Sequence, residues 1–220
     1  MSTEPDQPPG PALEDDTPPG PERLLALSDG VVAIALTLLV LDLKVPAQSI
    51  LAHDNQARDL ASALGQDVDQ LISYLVSFYV VAQFWLAHHR IFRVVTGHSE
   101  GLAWWNFAFL FAITLMPFTS GVLGEFAENP LAVDIFAANM LLASLTSQAT
   151  ARFVLRRGLA KRHSAEQHRT GQIRSLTVSV IMLVSIAVAW ASPDDAKYIW
   201  IAIAFAPDVI IRVTKPRVPA

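Results

Sequence analysis

Six apolar runs, separated by short polar stretches that hold nearly all the charge, constrain this chain more than anything else in it. They are Leu24–Leu43, Val68–Ala87, Leu102–Leu123, Leu131–Phe153, Ile173–Trp190 and Tyr198–Val213. A helix needs roughly 20 mostly apolar residues to cross a bilayer, because lipid offers the backbone no hydrogen-bond partners. The runs therefore predict an all-α, polytopic membrane protein with six transmembrane helices. Composition agrees: 52% of residues are hydrophobic and 16% charged, against roughly 25% charged in a soluble domain. The lipid bilayer is the expected partner. The net charge of −4 gives no reason to expect nucleic acid. The absence of cysteine excludes disulfides, thiolate metal sites and Cys nucleophiles.

Three regions follow. Residues 1–22 hold seven of the fourteen prolines and six acidic residues, with no Lys or Arg before Arg23. Such a segment buries too little apolar surface to fold and is expected to be a disordered tail. Residues 23–215 form the transmembrane domain, and 216–220 a C-terminal tail. The linker 44–67 contains Pro46 and is predicted to carry a short surface helix around Gln56–Leu64.

Charge asymmetry orients the spans. With the N-terminus in the cytoplasm, 13 basic residues fall inside and only Lys44, Arg58 and Lys197 fall outside. The positive-inside rule thus predicts both termini inside. The outer loops are acidic, with Asp54, Asp59, Asp67, Asp69, Glu125, Glu128, Asp194 and Asp195. Two readings of them stay open, a cation-attracting mouth and an ordinary solvated loop surface.

The first span carries the most chemistry. Arg23, Ser28 and Asp29 stand where it enters the membrane, and polar groups there need partners. At 100° per residue, Ile34, Thr37 or Leu38, and Leu41 share one stripe. Asp29 points about 140° away from Ile34, so it faces neighbouring helices if the stripe faces an axis. Partners are available at the same depth: Trp85, His88 and His89 end the second span, and Trp104, Trp105 and Asn106 begin the third. The tryptophans fit an interfacial belt equally well. One adjacent His88-His89 pair is a poor ligand set, so no metal or cofactor is expected. Asp134 and Asp208, in the fourth and sixth spans, are open between proton carriage and packing.

The residues resemble a known family. Arg23-x-x-x-Leu27-Ser28-Asp29, followed by Ala33-Ile34-x-x-Thr37-Leu38-Leu39, is similar to the first helix of the transmembrane protein 175 potassium channels. Trp85-x-x-His88-His89, Asn106 and Pro117-Phe118 resemble that family's second and third helices. The resemblance implies a homotetramer in a bacterial plasma membrane, the first helices lining a central pore. It implies a constriction at Ile34, Leu38 and Leu41 with Thr37 as a polar layer, and a packing network of Arg23, Ser28, Asp29, Trp85, His88 and Asn106. Leu27 stands where the family usually has Phe. The implied function is a passive channel for K⁺ and other monovalent cations, K⁺ being the permeant ion. An apolar ring supplies no oxygen ligands, so only a modest preference for K⁺ over Na⁺ is expected, from its easier dehydration.

The alternative is a proton-coupled secondary transporter using Asp29, His88, Asp134 or Asp208. Such transporters tend to show internal repeats and pairs of broken helices, and neither is evident between the halves of this sequence. An enzyme is not expected: no Ser-His-Asp or His-Glu-x-x-His spacing occurs.

Overall fold

The structure, a computed structural model, describes residues 21–43, 56–66, 68–97, 99–160, 165–192, 195–196 and 199–200. These are helical throughout, apart from turns and one isolated antiparallel bridge, Val95↔Ala160. Helix α1 spans Pro21–Leu38 and runs on as a 3-10 segment over Leu39–Asp42. Pro21 suits the first helical position, where no intrahelical partner exists for the N–H it lacks. Pro21 and Glu22, expected in the tail, are therefore the first turn of the first helix; residues 1–20 lie outside the described residues. Helix α2, Gln56–Gln66, is the short helix expected in the linker. Helix α3 is Val68–Phe92.

The third span, expected as one helix, is two. Helix α4 covers Glu100–Thr114 and α5 covers Met116–Glu125, parted at Leu115. Pro117 explains the break: its ring has no N–H to give the carbonyl of Ile113 and crowds that oxygen. Helix α6, Pro130–Arg156, starts where the Asn129 side chain accepts from the Leu131 N–H at 2.9 Å. It closes into a turn in which Gly158 takes φ 65°, the left-handed geometry that favours glycine at a helix end. Helix α7 is Ala165–Ala189.

Among the described residues, four segments are long and apolar enough to cross a membrane: Pro21–Asp42, Gln70–Phe92, Glu100–Glu125 and Pro130–Arg156. They match the first four expected spans. The fifth run forms α7, whose apolar part, Leu176–Ala189, is shorter than these four. The sixth, Tyr198–Val213, and Asp208 with it, lies outside the described residues except for Ile199 and Trp200.

Helix α6 is the central wall. Phe136 and Met140 on it are fully buried with Phe109, Ile113 and Met116 of the α4–α5 segment, and with Leu39 and Val81. Helix α7 packs on α6 from the other side, and α1 lies against α3 and α4. A smaller core of Phe92, Val95, Leu102 and Val154 sits under the loops at one end. There the α3–α4 connection is stapled to the turn after α6, the Thr96 N–H donating to the Leu159 carbonyl at 2.8 Å.

Candidate functional site

Helix α1 has two unlike faces. Ser28, Val32, Ala35 and Leu39, spaced by three and four, are buried against the rest of the fold. Ile34, Leu38 and Leu41 point away from it, with 60%, 43% and 73% of their surface exposed. Thr37 is also exposed, its hydroxyl donating to the Ile34 carbonyl at 2.8 Å. The four stripe residues thus share a face and contribute nothing to their own subunit's core.

The polar residues of the buried side are held in two groups. In the first, the His88 Nε2 lies 2.7 Å from the Asn106 Oδ1. An amide oxygen only accepts, so the imidazole nitrogen is the donor. The Asn106 amide donates to the Ser28 hydroxyl at 3.0 Å, and that hydroxyl donates to the Leu24 carbonyl at 2.7 Å. All three side chains are buried. His88 lies between the rings of Phe92 and Phe109, stacked at 4.4 and 4.9 Å. This chain of donors ties α1, α3 and α4 together. In the second group, the Trp85 indole N–H donates to Asp29 at 2.8 Å, joining α3 to α1 one residue further on. Trp85 also packs against His89.

Ser28, Asp29, Trp85, His88 and Asn106 are therefore brought together as two adjoining anchors. Arg23 is not. It is exposed, and the hydrogen bonds that build the two anchors do not include it. Eleven residues separate it from Ile34, which turns it to within about 20° of the exposed stripe. Its geometry belongs to that face rather than to the packing network.

Polar contacts that sequence reasoning missed lie elsewhere between the helices. Ser77 donates to Ser120 at 2.8 Å and Ser73 to the Ser120 carbonyl at 3.0 Å, linking α3 to α5. Gln148 donates to Ser179 at 3.0 Å, linking α6 to α7. The signal available was the pair Ser73 and Ser77, one helical turn apart within an apolar run. Asp134, one of the two residues left open between proton carriage and packing, accepts from the Trp190 indole at 2.8 Å.

Comparison with known proteins follows the same residues. The family described as endosomal/lysosomal potassium channel TMEM175 matches residues 23–117. That segment is similar to the TMEM175 family. It contains both anchors and the whole exposed stripe. A potassium channel of Chamaesiphon minutus is 34% identical over 126 residues, 56% of this chain and 60% of that protein. One from a Chryseobacterium species is 37% identical over 112 residues, 50% and 53% of the two chains. This chain thus spans little more than half the length of these curated TMEM175-like relatives. A crystal structure of a lysosomal potassium-selective channel TMEM175 homolog from Chamaesiphon minutus superposes with a TM-score of 0.70 at 26% identity. That superposition covers 87% of this chain and 97% of that one.

Proposed function

We propose that this chain is a potassium-permeable cation channel of a bacterial plasma membrane, with both termini in the cytoplasm. The observation that carries the reading is the α1 stripe. Within the segment that matches the family, Ile34, Thr37, Leu38 and Leu41 face outward, while the polar residues of the same helix are used internally.

One helix cannot enclose a path, so the reading requires an oligomer, and a homotetramer packs four α1 helices around an axis. The rings of Ile34, Leu38 and Leu41 then form a hydrophobic constriction that gates by wetting and drying. Thr37 supplies the one hydroxyl layer. With few oxygen ligands, selection rests on the cost of dehydration, and K⁺ passes more readily than Na⁺ by a modest margin. No catalytic turnover and no bound cofactor are needed. The two anchors hold α1 at a fixed rotation and do not touch the ion.

The test is flux. Liposomes loaded with K⁺ and containing the full chain are expected to show K⁺-driven proton uptake when a protonophore is added. No K⁺-dependent signal overturns the channel. Transport that vanishes once the proton gradient is clamped points to the proton-coupled transporter instead. Ile34→Asn should raise the flux and Leu38→Ala should relax the K⁺ preference; if both behave like the parent, the stripe does not line the path.

A further inference from the structure

Two interhelical hydrogen bonds in this protein have the same chemistry and the same spacing. The Trp85 indole donates to Asp29 at 2.8 Å, and the Trp190 indole donates to Asp134 at 2.8 Å. Each pair is separated by 56 positions. The second pair is the first displaced by 105 residues at both ends (134 less 29, and 190 less 85). Each aspartate lies in the first half of its helix, at the ninth of 18 residues in α1 and the fifth of 27 in α6. Each tryptophan lies toward the end of the next long helix, in the last turns of α3 or directly after α7.

A further tie is found in each half. In the first half, Asn106 of α4 bonds back to His88 on α3 and to Ser28 on α1. In the second half, the Trp200 indole donates to Ser185 on α7 at 2.8 Å, and its ring packs on Phe136 of α6 at 5.0 Å. The chemistry of this tie differs, and in the second half it is made by a turn residue beyond α7, which joins α7 to α6.

We infer that the chain carries two copies of one helix pair pinned by an Asp–Trp bond and inserted in opposite senses, with Asp134–Trp190 as the counterpart, on the other membrane face, of the Asp29–Trp85 anchor. The opposite sense follows from the spans. Helices α1 and α3 and the α4–α5 segment are three crossings, so α6 begins on the side opposite to the start of α1. Each half of the membrane then has one helix pinned within its own first half, α1 in one and α6 in the other. Sequence comparison of the halves misses this because the shared demand is one acceptor and one donor per unit, set among interchangeable apolar residues. The inference concerns the build of the subunit and stands whichever ion is conducted.

Two measurements on the full chain test it. The parent has no cysteine, so Glu22→Cys and Ala191→Cys can each be labelled alone. Both positions are exposed, Glu22 about two turns before Asp29 and Ala191 directly after Trp190. A membrane-impermeant maleimide is expected to reach Ala191→Cys on intact cells and Glu22→Cys only after permeabilisation. Labelling of both from one side overturns the opposite insertion. The second measurement is a double-mutant cycle on the unfolding midpoint of the solubilised protein. Asp134→Leu and Trp190→Phe should each lower it by several degrees, and together by no more than the larger single effect. Asp134→Asn, which keeps a carbonyl acceptor, should stay near the parent. The same pattern is expected for Asp29→Leu, Trp85→Phe and Asp29→Asn. Fully additive effects at Asp134 and Trp190 overturn the shared anchor. If Asp134→Leu does not accumulate, Trp190→Phe alone decides: no shift beside a clear shift for Trp85→Phe overturns it.

Discussion

Asn106 is the residue on which the first anchor turns, and Asn106→Leu is its sharpest test. The substitution keeps most of the volume and removes both hydrogen-bonding ends. Two interhelical bonds are lost, to His88 at 2.7 Å and to Ser28 at 3.0 Å. Bonds of this kind in membrane proteins contribute ~0.6 kcal/mol on average and up to ~1.7 kcal/mol. The loss also strands the His88 N–H, which is 1% exposed, and a buried unpaired donor costs about 1–3 kcal/mol. The expected destabilisation is therefore about 2–4 kcal/mol. Ser28→Ala should cost less, about 1 kcal/mol, because its hydroxyl spends its own proton on the Leu24 carbonyl within α1.

The assay is an unfolding titration in detergent, read beside the elution position of the oligomer. A control separates hydrogen bonding from packing. In Asn106→Leu with His88→Leu both partners are apolar, and removing both is far cheaper than stranding one. The double variant should be more stable than the two single effects predict by about 1–3 kcal/mol. The residue it still lacks is the histidine ring between Phe92 and Phe109, for which aromatic pairing contributes about 0.5–1.5 kcal/mol. Asn106→Leu within about 0.5 kcal/mol of the parent, or a double variant that is simply additive, would refute the anchor as an energetic unit.

Other substitutions probe the surrounding fold. A Cβ at Gly101 would stand 2.5 Å from a ring carbon of Phe153, so Gly101→Ala must push α4 from α6 or turn the ring. A loss of about 1–3 kcal/mol is expected, largely restored by Phe153→Leu; an unchanged unfolding midpoint would show that the ring moves freely. Trp85→Phe removes the indole donor to Asp29 and should lower the yield of assembled oligomer while leaving the K⁺ to Na⁺ flux ratio as in the parent. A changed ratio with normal assembly would instead put the Asp29 pair on the ion path.

The parts of this fold that were legible in the sequence are those set by period and length. The apolar runs located α1, α3, the α4–α5 segment and α6 to within a few residues, because lipid imposes one length on all of them. The helical repeat separated Asp29 from Ile34 and placed Trp85, His88 and Asn106 at a common depth. Neighbour identity was less accessible. Period shows which way a side chain points but not which helix stands there. Ser73, Ser77 and Ser120 thus passed as scattered hydroxyls, although they join α3 to α5. Gly101 was silent for the same reason: its role is the absence of a side chain opposite Phe153. Arg23 was placed with Ser28 and Asp29 by the resemblance and by depth, and its rotation around the helix turns it toward the other face. Pro117 was visible, but its position within an apolar run hid the break that it makes at Leu115.

The two faces of α1 are rigidly linked, and that linkage is itself testable. Five residues separate Asp29 from Ile34, so the anchor sets the rotation of the stripe. Inserting one alanine after Val31 leaves Ser28 and Asp29 bonded to Asn106 and Trp85 but turns everything beyond by about 100° and lifts it by about 1.5 Å. The position taken by Ile34 then passes to Ala33, and the buried position of Ala35 passes to Ile34. That places a larger side chain against α3 and α4, at a cost of about 1–3 kcal/mol for overpacking, and replaces one branched side chain of the stripe by a methyl. If the stripe lines the path, the variant should still assemble, since the anchor is intact, while its flux and K⁺ preference both change. Four inserted residues turn the helix by about 40° beyond a full turn and should restore the preference in part. A single insertion that assembles and conducts like the parent would mean that the rotation set by Asp29 has no bearing on conduction. The outward face of α1 would then be a surface for lipid or for a neighbouring subunit rather than for ions.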